Sequence, residues 1–400
     1  MRYLTDLPNM YGKHVLVRVD FNIPITHGII QDDTRLIASL PTIRFLQRRG
    51  AKIILVSHRK NPRGRVKKPL SLAEISSYLG SVLNTEILFV ESCIGKSVQA
   101  KIKDLGPGEI LMLENVRFEA GELKNDPKFV KELAKLADFF VFEAFGVVHR
   151  EHASTIGLAK ALPSFVGKLM EQEVKILGQA LEGPPRPLVV VLGGAKIESK
   201  IGVLKRFSQL ADTILLGGGI ANTFLAAQNF AISKSLYEPS QVGLAREILA
   251  QAKENGCELR LPWDVTRFLA HASNGKNFKL EFASQAGLGK EQALRWRIVD
   301  IGQETQAEFQ RIILQAKLVV WNGPLGAFET LAASQGTGSV VEACQKTEAK
   351  TIIGGGDTLA ALHLFQVSFK DFTHISTGGG AMLKFLEGGK LPVLEALGGA

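Results

Sequence analysis

The first groups in this sequence with chemistry to offer are glycines that follow apolar runs. Val189-Val190-Val191-Leu192 leads into Gly193-Gly194-Ala195-Lys196, and Ile214-Leu215-Leu216 into Gly217-Gly218-Gly219. Thr351-Ile352-Ile353 leads into Gly354-Gly355-Gly356-Asp357-Thr358, and His374-Ile375-Ser376-Thr377 into Gly378-Gly379-Gly380. Glycine at such a point lets the backbone turn sharply and approach a ligand closely. A helix that starts there offers unpaired N–H groups and a dipole that favours anions. One such cluster is explained by a tight turn; four, all at strand exits, predict a nucleotide held by backbone. Lys196 and Lys200 are four apart after the first turn, which predicts that they share a helix face and neutralise phosphates. The ordinary alternative is two solvated lysines. Asp357 reads as an N-cap, as a Mg²⁺ ligand beside substrate phosphates, or as both. Two familiar phosphate motifs are excluded: Gly95-Lys96-Ser97 has Val90 where a P-loop needs its first glycine, and no GxGxxG follows a strand.

The first half carries a different set. Arg18, Asp20 and Asn22 alternate along one run, His58 follows Ile53-Ile54-Leu55-Val56-Ser57, and Arg35 follows Asp32-Asp33-Thr34. Arg117 follows Glu114-Asn115-Val116, and His149-Arg150 lies just beyond Glu143-Ala144-Phe145-Gly146. Arginine suits bidentate recognition of phosphate and carboxylate, so several at one sheet edge predict a small polyanion. Singly, each is an ordinary surface charge. His149 and His152 lack a third ligand at metal-site spacing, and no metal is expected on them.

The elements that must carry these groups alternate between β-rich apolar runs and longer amphipathic runs, the pattern of parallel sheets covered by helices. Strands are predicted at 14–20, 52–57, 86–90, 109–114 and 139–143, then at 187–192, 212–216, 258–261, 318–322, 351–353 and 373–376. Between the halves, 163–181 reads as one long connecting helix ended by Glu182-Gly183-Pro184-Pro185-Arg186-Pro187. A length of 400 residues favours two domains, and 46% hydrophobic residues can fill two cores. Cys93, Cys257 and Cys344 are odd in number and far apart, which excludes a disulfide framework and a CxxC metal site and predicts buried free thiols in a reducing cytoplasm. No run is apolar enough to span a membrane, and the first residues lack the apolar run of a secretory leader. The net charge of +9 fits a nucleic-acid binder, a basic host proteome or a polyanionic small substrate. Lys and Arg are scattered and only 7% of residues are aromatic, which sets nucleic acid aside.

Val17-Arg18-Val19-Asp20-Phe21-Asn22-Ile23-Pro24 with Asp33-Thr34-Arg35 resembles the opening signature of phosphoglycerate kinases. The resemblance continues in order through Leu113 to Phe118, Ala144-Phe145-Gly146, His149 to Ser154, Gly193 to Lys196, Trp321 to Glu329, Gly354 to Thr358 and Ser376 to Gly380. It covers essentially the whole chain. It implies two Rossmann-like α/β domains, an N-terminal one over 1–165 and a C-terminal one over 186–384, joined by the helix over 163–181, with 385–400 returning to the first. It also implies reversible phosphoryl transfer from 1,3-bisphosphoglycerate to ADP, giving 3-phosphoglycerate and ATP with Mg²⁺, by a cytoplasmic monomer. On that resemblance Asp20, Asn22, Arg35, His58, Arg117 and Arg150 hold the phosphoglycerate. Asn322, Pro324 and Glu329 lie along the adenosine, and Gly193, Gly217, Gly218, Gly219 and Gly355 line the nucleotide slot. Lys196, Lys200, Asp357 and Thr358 serve the phosphates and the metal. Arg35, Lys196 and the helix starts at Gly356 and Gly379 would meet the transferring group, since such a reaction needs alignment and neutralised charge more than covalent help. Three positions depart from the family: Asn61 replaces a phosphate-binding arginine, Glu143 an aspartate, and Ser199 an aspartate beside Lys200. They motivate an alternative, a nucleotide-binding scaffold derived from a kinase and lacking turnover.

Overall fold

Strands buried on both faces read as unbroken apolar runs, and such strands belong in parallel sheets. The structure, a computed structural model, describes residues 1–269, 276–279 and 296–398. They form two units, Met1–Lys175 with Lys390–Ala400, and Ile176–Gly389.

In the first unit β1 (His14–Val19) is followed by a small hairpin, β2 (Ile25–Thr26) and β3 (Ile29–Ile30). Then come β4 (Lys52–Val56), β5 (Ile87–Val90), β6 (Ile110–Leu113), β7 (Phe139–Glu143) and β8 (Ser164–Val166). The order β5-β6-β4-β1-β7-β8 is parallel throughout. The connecting helices are α1 (Thr34–Arg48), α2 (Ala73–Leu83), α3 (Lys96–Lys103), α4 (Pro127–Ala134) and α5 (Leu158–Ala161), and α6 (Lys168–Gln179) carries the chain into the second unit. Val17, Ile53, Met112 and Val141 of the sheet pack with Leu36, Leu40 and Ile43 of α1 in one core. Each such side chain contributes roughly 1.5–3 kcal/mol on burial.

The second unit holds β9 (Leu188–Leu192), β10 (Thr213–Leu216), β11 (Glu258–Arg260), β12 (Asp264–Leu269), β13 (Lys276–Lys279), β14 (Trp296–Ile301), β15 (Leu318–Asn322), β16 (Lys350–Gly354) and β17 (His374–Ser376). Its main sheet runs β11-β10-β9-β15-β16-β17, again all parallel, and β13-β12-β14 form a separate antiparallel sheet. Its helices are α7 (Ile201–Leu210), α8 (Gly218–Ala227), α9 (Val242–Glu254), α10 (Gln303–Leu314), α11 (Gln335–Lys346), α12 (Gly356–Leu364) and α13 (Gly380–Leu386). The last helix, α14 (Pro392–Ala396), belongs to the first unit and packs on α5. Register decides where the glycines fall. Leu216 pairs with Leu192, Leu192 with Asn322, Asn322 with Gly354, and Gly354 with Ser376. All four glycine clusters therefore leave the sheet along one edge, where ligands of open α/β sheets bind.

The architecture is the expected α/β pair of parallel sheets, with corrections. The helix expected over 163–181 begins at Lys168, because Ser164–Val166 pairs with β7 as an edge strand. Its aromatic and β-branched residues favour that state. The antiparallel sheet β13-β12-β14 and the β2–β3 hairpin were not expected at all.

Candidate active site

In the first unit β1 ends at Val19, so Arg18 is the last of the three alternating residues still in the strand; Asp20 and Asn22 lie beyond its end. There the backbone N–H of Asn22 donates to Asp20 Oδ1 at 3.2 Å. Arg35, in the first turn of α1, reaches back with Nη1 3.3 Å from Asp20 Oδ2 and 3.1 Å from the Asn22 carbonyl. Asn22 Oδ1 accepts the N–H of Lys60 at 2.8 Å, and Arg117 Nη1 donates to the Lys60 carbonyl at 2.7 Å. His58 is buried, with Nδ1 3.1 Å from Arg18 Nη2 and 3.7 Å from Asp20 Oδ1. A guanidinium only donates, so Nδ1 accepts and the neutral ring carries its proton on Nε2. Asp20, Asn22, Arg35, His58 and Arg117 are thus brought together. Arg150 is exposed beyond β7, near enough for its charge to act on Arg117.

This cluster has more cation than it can answer. Arg18, also buried, donates from Nε to Ser154 Oγ at 2.8 Å and from Nη1 to the Val19 carbonyl. Ser154 in turn donates from Oγ at 2.7 Å and from N–H at 2.9 Å to the buried Glu122 carboxylate. Burial, then Arg18, lowers the Arg117 guanidinium to about 10. Burial, then Arg18, Arg117 and Arg35, holds His58 well below the usual histidine range, and burial with Arg117 takes His152 to about 4. Burial raises Glu122 in spite of Arg18 and Ser154. Arg117 Nε is buried with no partner among the described residues. A buried donor left open costs about 1–3 kcal/mol unless a ligand fills it, and these neighbours call for an anion.

In the second unit the glycines are spatial necessities. A Cβ at Gly193 would run into the Pro324 carbonyl; one at Gly218, where φ is +64°, would lie 2.8 Å from the Gly194 oxygen. Gly194 N–H donates to the Pro324 carbonyl at 2.7 Å and Gly218 N–H to that of Leu325 at 2.8 Å. The resulting cleft, about 700 Å³, is lined by Gly194, Gly218, Gly219, Pro324, Glu329 and Asp357 among others. A smaller cavity of about 190 Å³ is lined by Lys200, Asn322, Gly355, Gly356, Asp357, Thr358 and Gly379. Asp357 belongs to both.

Lys196 and Lys200 do not share a helix face as expected. Residues Glu198–Lys200 form a 3₁₀ turn and α7 begins only at Ile201, which leaves Lys196 exposed in the loop before it. Lys200 turns inward, donating to the Gly193 carbonyl and, at 2.9 Å, to that of Asn322. Burial lowers its ammonium to about 8, with Asp357 pulling the other way. Asn322 Nδ2 donates to the Gly354 carbonyl at 2.7 Å, as does Thr358 Oγ1 at 3.0 Å, and Thr358 Oγ1 accepts Gly323 N–H at 2.7 Å. These three side chains bind the strand exits to one another. Gly217 is buried beneath the cleft, as Gly193 is. Asp357 is not the cap of α12; Gly355 is, and the Asp357 carboxylate stands exposed in the first turn. Among the described residues no cluster of three His, Cys, Asp or Glu could cage a metal. One exposed carboxylate at the shared wall of two cavities does fit a Mg²⁺ ion that takes its other ligands from substrate phosphates and water.

Sequence reasoning missed the cleft wall supplied by 234–237, Phe268 and 297–301. One signal was there: Trp296–Ile301 runs into Gly302 and then α10, the strand–glycine–helix pattern recognised elsewhere. Asp300 on that strand is buried, and burial pushes its carboxyl up to about 7 although Gly336 and Ile301 donate to it.

An arginine cluster at the end of one parallel sheet and a glycine-walled cleft at the end of another, in a two-unit α/β chain, are the arrangement that suits phosphorylated ligands. Comparison with known proteins gives the class its family. The family model for phosphoglycerate kinase matches residues 4–389. The chain is 44% identical to the phosphoglycerate kinase of Moorella thermoacetica over 98% of each chain, and 41% identical to that of Borreliella afzelii over 99% of each. The structure of phosphoglycerate kinase from Coxiella burnetii superposes with a TM-score of 0.86 at 37% identity, over 99% of this chain and 98% of that one. That from Pyrococcus horikoshii gives 0.86 at 33%, over 100% and 98%. The chain belongs to the phosphoglycerate kinase family.

Proposed function

We propose that this protein catalyses the glycolytic transfer of a phosphoryl group from 1,3-bisphosphoglycerate to ADP, giving 3-phosphoglycerate and ATP, and the reverse. The observation that carries the reading is the cationic cluster of the first unit, with Arg117 Nε buried and open, in a chain whose other unit has the glycine-walled cleft. Asp20, Asn22, Arg35, His58, Arg117 and Arg150 hold the phosphoglycerate. Asn322, Pro324 and Glu329 follow the adenosine, with Glu329 on the ribose hydroxyls. Gly193, Gly217, Gly218, Gly219 and Gly355 shape the slot; Lys196, Lys200 and Thr358 serve the phosphate chain. Asp357 would hold Mg²⁺, which supplies charge neutralisation to the nucleotide phosphates when bound. Arg35, Lys196 and the N–H groups at Gly356 and Gly379 stabilise charge on the transferring group, the largest contribution a protein makes to such a step. We expect the enzyme to act in the cytoplasm as a monomer.

The three departures are compatible with this reading. Glu143 is buried at the end of β7 and accepts the N–H groups of Leu169 and Met170 at 3.1 and 3.3 Å, so it serves a helix start. Ser199 and Asn61 leave Lys196, Lys200, Asp357 and Arg35 in place. The test is ATP consumption by the purified protein with 3-phosphoglycerate, coupled to reduction of the acyl phosphate formed. Turnover that needs both substrates is expected; nucleotide binding without turnover would support the scaffold instead.

A further inference from the structure

Asp300 is 2% exposed and lies near the end of β14, on the wall of the larger cleft. No ion pair reaches it among the described residues. Its Oδ2 accepts the N–H of Gly336, in the first turn of α11, at 2.7 Å, and its Oδ1 accepts that of Ile301 at 2.9 Å. A Cβ at Gly326 or at Gly336 would run into this carboxyl group, so both neighbours are shaped around it. Two more hydrogen bonds complete a ring. Ala327 N–H donates to the Val299 carbonyl at 2.8 Å, and Leu325 N–H to Thr337 Oγ1 at 3.0 Å. Strand β14, the loop 324–330 and the start of α11 are therefore tied pairwise, and Asp300 is the tie between strand and helix.

The loop in this ring is also what the glycine turns rest on, since the Pro324 and Leu325 carbonyls accept from Gly194 and Gly218. A buried polar group without a cation is an expensive way to fill space; an apolar residue would pack there at lower cost. What the carboxyl group adds is direction, by fixing an N–H at a helix start where the dipole favours an anion.

Resting on the proposed nucleotide site, we propose that Asp300 is a positioning residue for it: its carboxyl group seats the loop 324–330 and, through that loop, the backbone that receives the nucleotide. Asp300→Asn keeps the volume and one acceptor but places an amide donor in the carboxyl group's site, against one of the two N–H groups.

The experiment is calorimetric titration of the full chain and the variant with MgADP and, separately, with 3-phosphoglycerate. MgADP affinity is expected to fall about five-fold or more, the consequence of one misdirected charge-assisted hydrogen bond, with 3-phosphoglycerate affinity unchanged. If Asp300→Asn loses its cooperative melt, Gly336→Ala takes its place, because the added methyl presses on the carboxyl group, and on Ile301 Cγ1 beside it, with Asp300 itself kept. A folded variant that binds MgADP as the parent does overturns the role of Asp300. So does one that loses both ligands in equal measure, which is the mark of general loosening. A parent that binds no MgADP overturns the nucleotide site itself, and the role of Asp300 with it.

Discussion

Lys196 stands exposed directly after the first glycine turn, free to reach the phosphate chain it is proposed to serve. Lys196→Ala is expected to keep the parent's melting temperature while kcat falls about a hundredfold, the usual effect of removing one preorganised donor worth about 3 kcal/mol. Near-normal turnover would remove Lys196 from the chemistry. Lys200 answers to pH instead. Its ammonium, lowered to about 8 by burial, is charged below that value and neutral above it. Nucleotide affinity should therefore weaken as pH rises through 8, and Lys200→Gln should abolish the step; a flat profile from pH 7 to 9 in the parent contradicts the assignment. Asn61 poses a question of substitution. Arg59 is buried, and its Nη1 is already engaged, 3.3 Å from the Ser71 carbonyl and 3.8 Å from Glu74. Arg63 is exposed in the same loop, at φ +58°. Arg63→Ala is expected to raise KM for 3-phosphoglycerate about tenfold and leave that for ATP alone, as loss of a charge-assisted hydrogen bond of about 1.5–3 kcal/mol would. Unchanged KM values for both would assign Arg63 to solvent.

The start of α6 shows how an element is fixed by a residue far from it in sequence. Lys168 N–H donates to Thr42 Oγ1 at 2.8 Å, and the next two N–H groups go to Glu143. Burial raises the Glu143 carboxyl to about 7, although the Thr42 side chain and the N–H groups of Leu169 and Met170 favour its charged form. A raised carboxyl pKa means that the folded state holds a proton the unfolded chain has released. That contribution is complete below about 4.5 and is lost as pH rises to about 7. Glu143→Gln should therefore flatten the fall in thermal stability between those pH values; an identical slope in parent and variant contradicts the proton assignment. The same region marks where sequence reading stopped. Main-sheet strands were legible because parallel strands are apolar on both faces, and the glycine clusters because register brings them to one edge. Ser164–Val166 was not, since three residues beside a longer helical pattern carry no period of their own. Lys200 lines the smaller cavity and Lys196 stands in the loop before it, but their four-residue spacing does not give a shared face, because a 3₁₀ turn intervenes where the spacing alone implies an α-helix.

Over the whole chain, the charged residues proposed to face ligands are legible in type and order, whereas those that shape the cleft from 234–237 and 297–301 are not. Walls are made by backbone and apolar contact, and their residues look like any others until the strands are paired. Every residue role rests on one activity, the movement of a phosphoryl group between an acyl phosphate and a nucleotide by this single chain. It is tested most directly by following phosphorus itself, with ³¹P resonance of the purified protein supplied with 1,3-bisphosphoglycerate, ADP and Mg²⁺. Loss of the acyl phosphate signal in step with growth of the ATP γ-phosphate signal is the expected result. Release of the acyl phosphate as inorganic phosphate at the uncatalysed rate, with ADP unchanged, would contradict it.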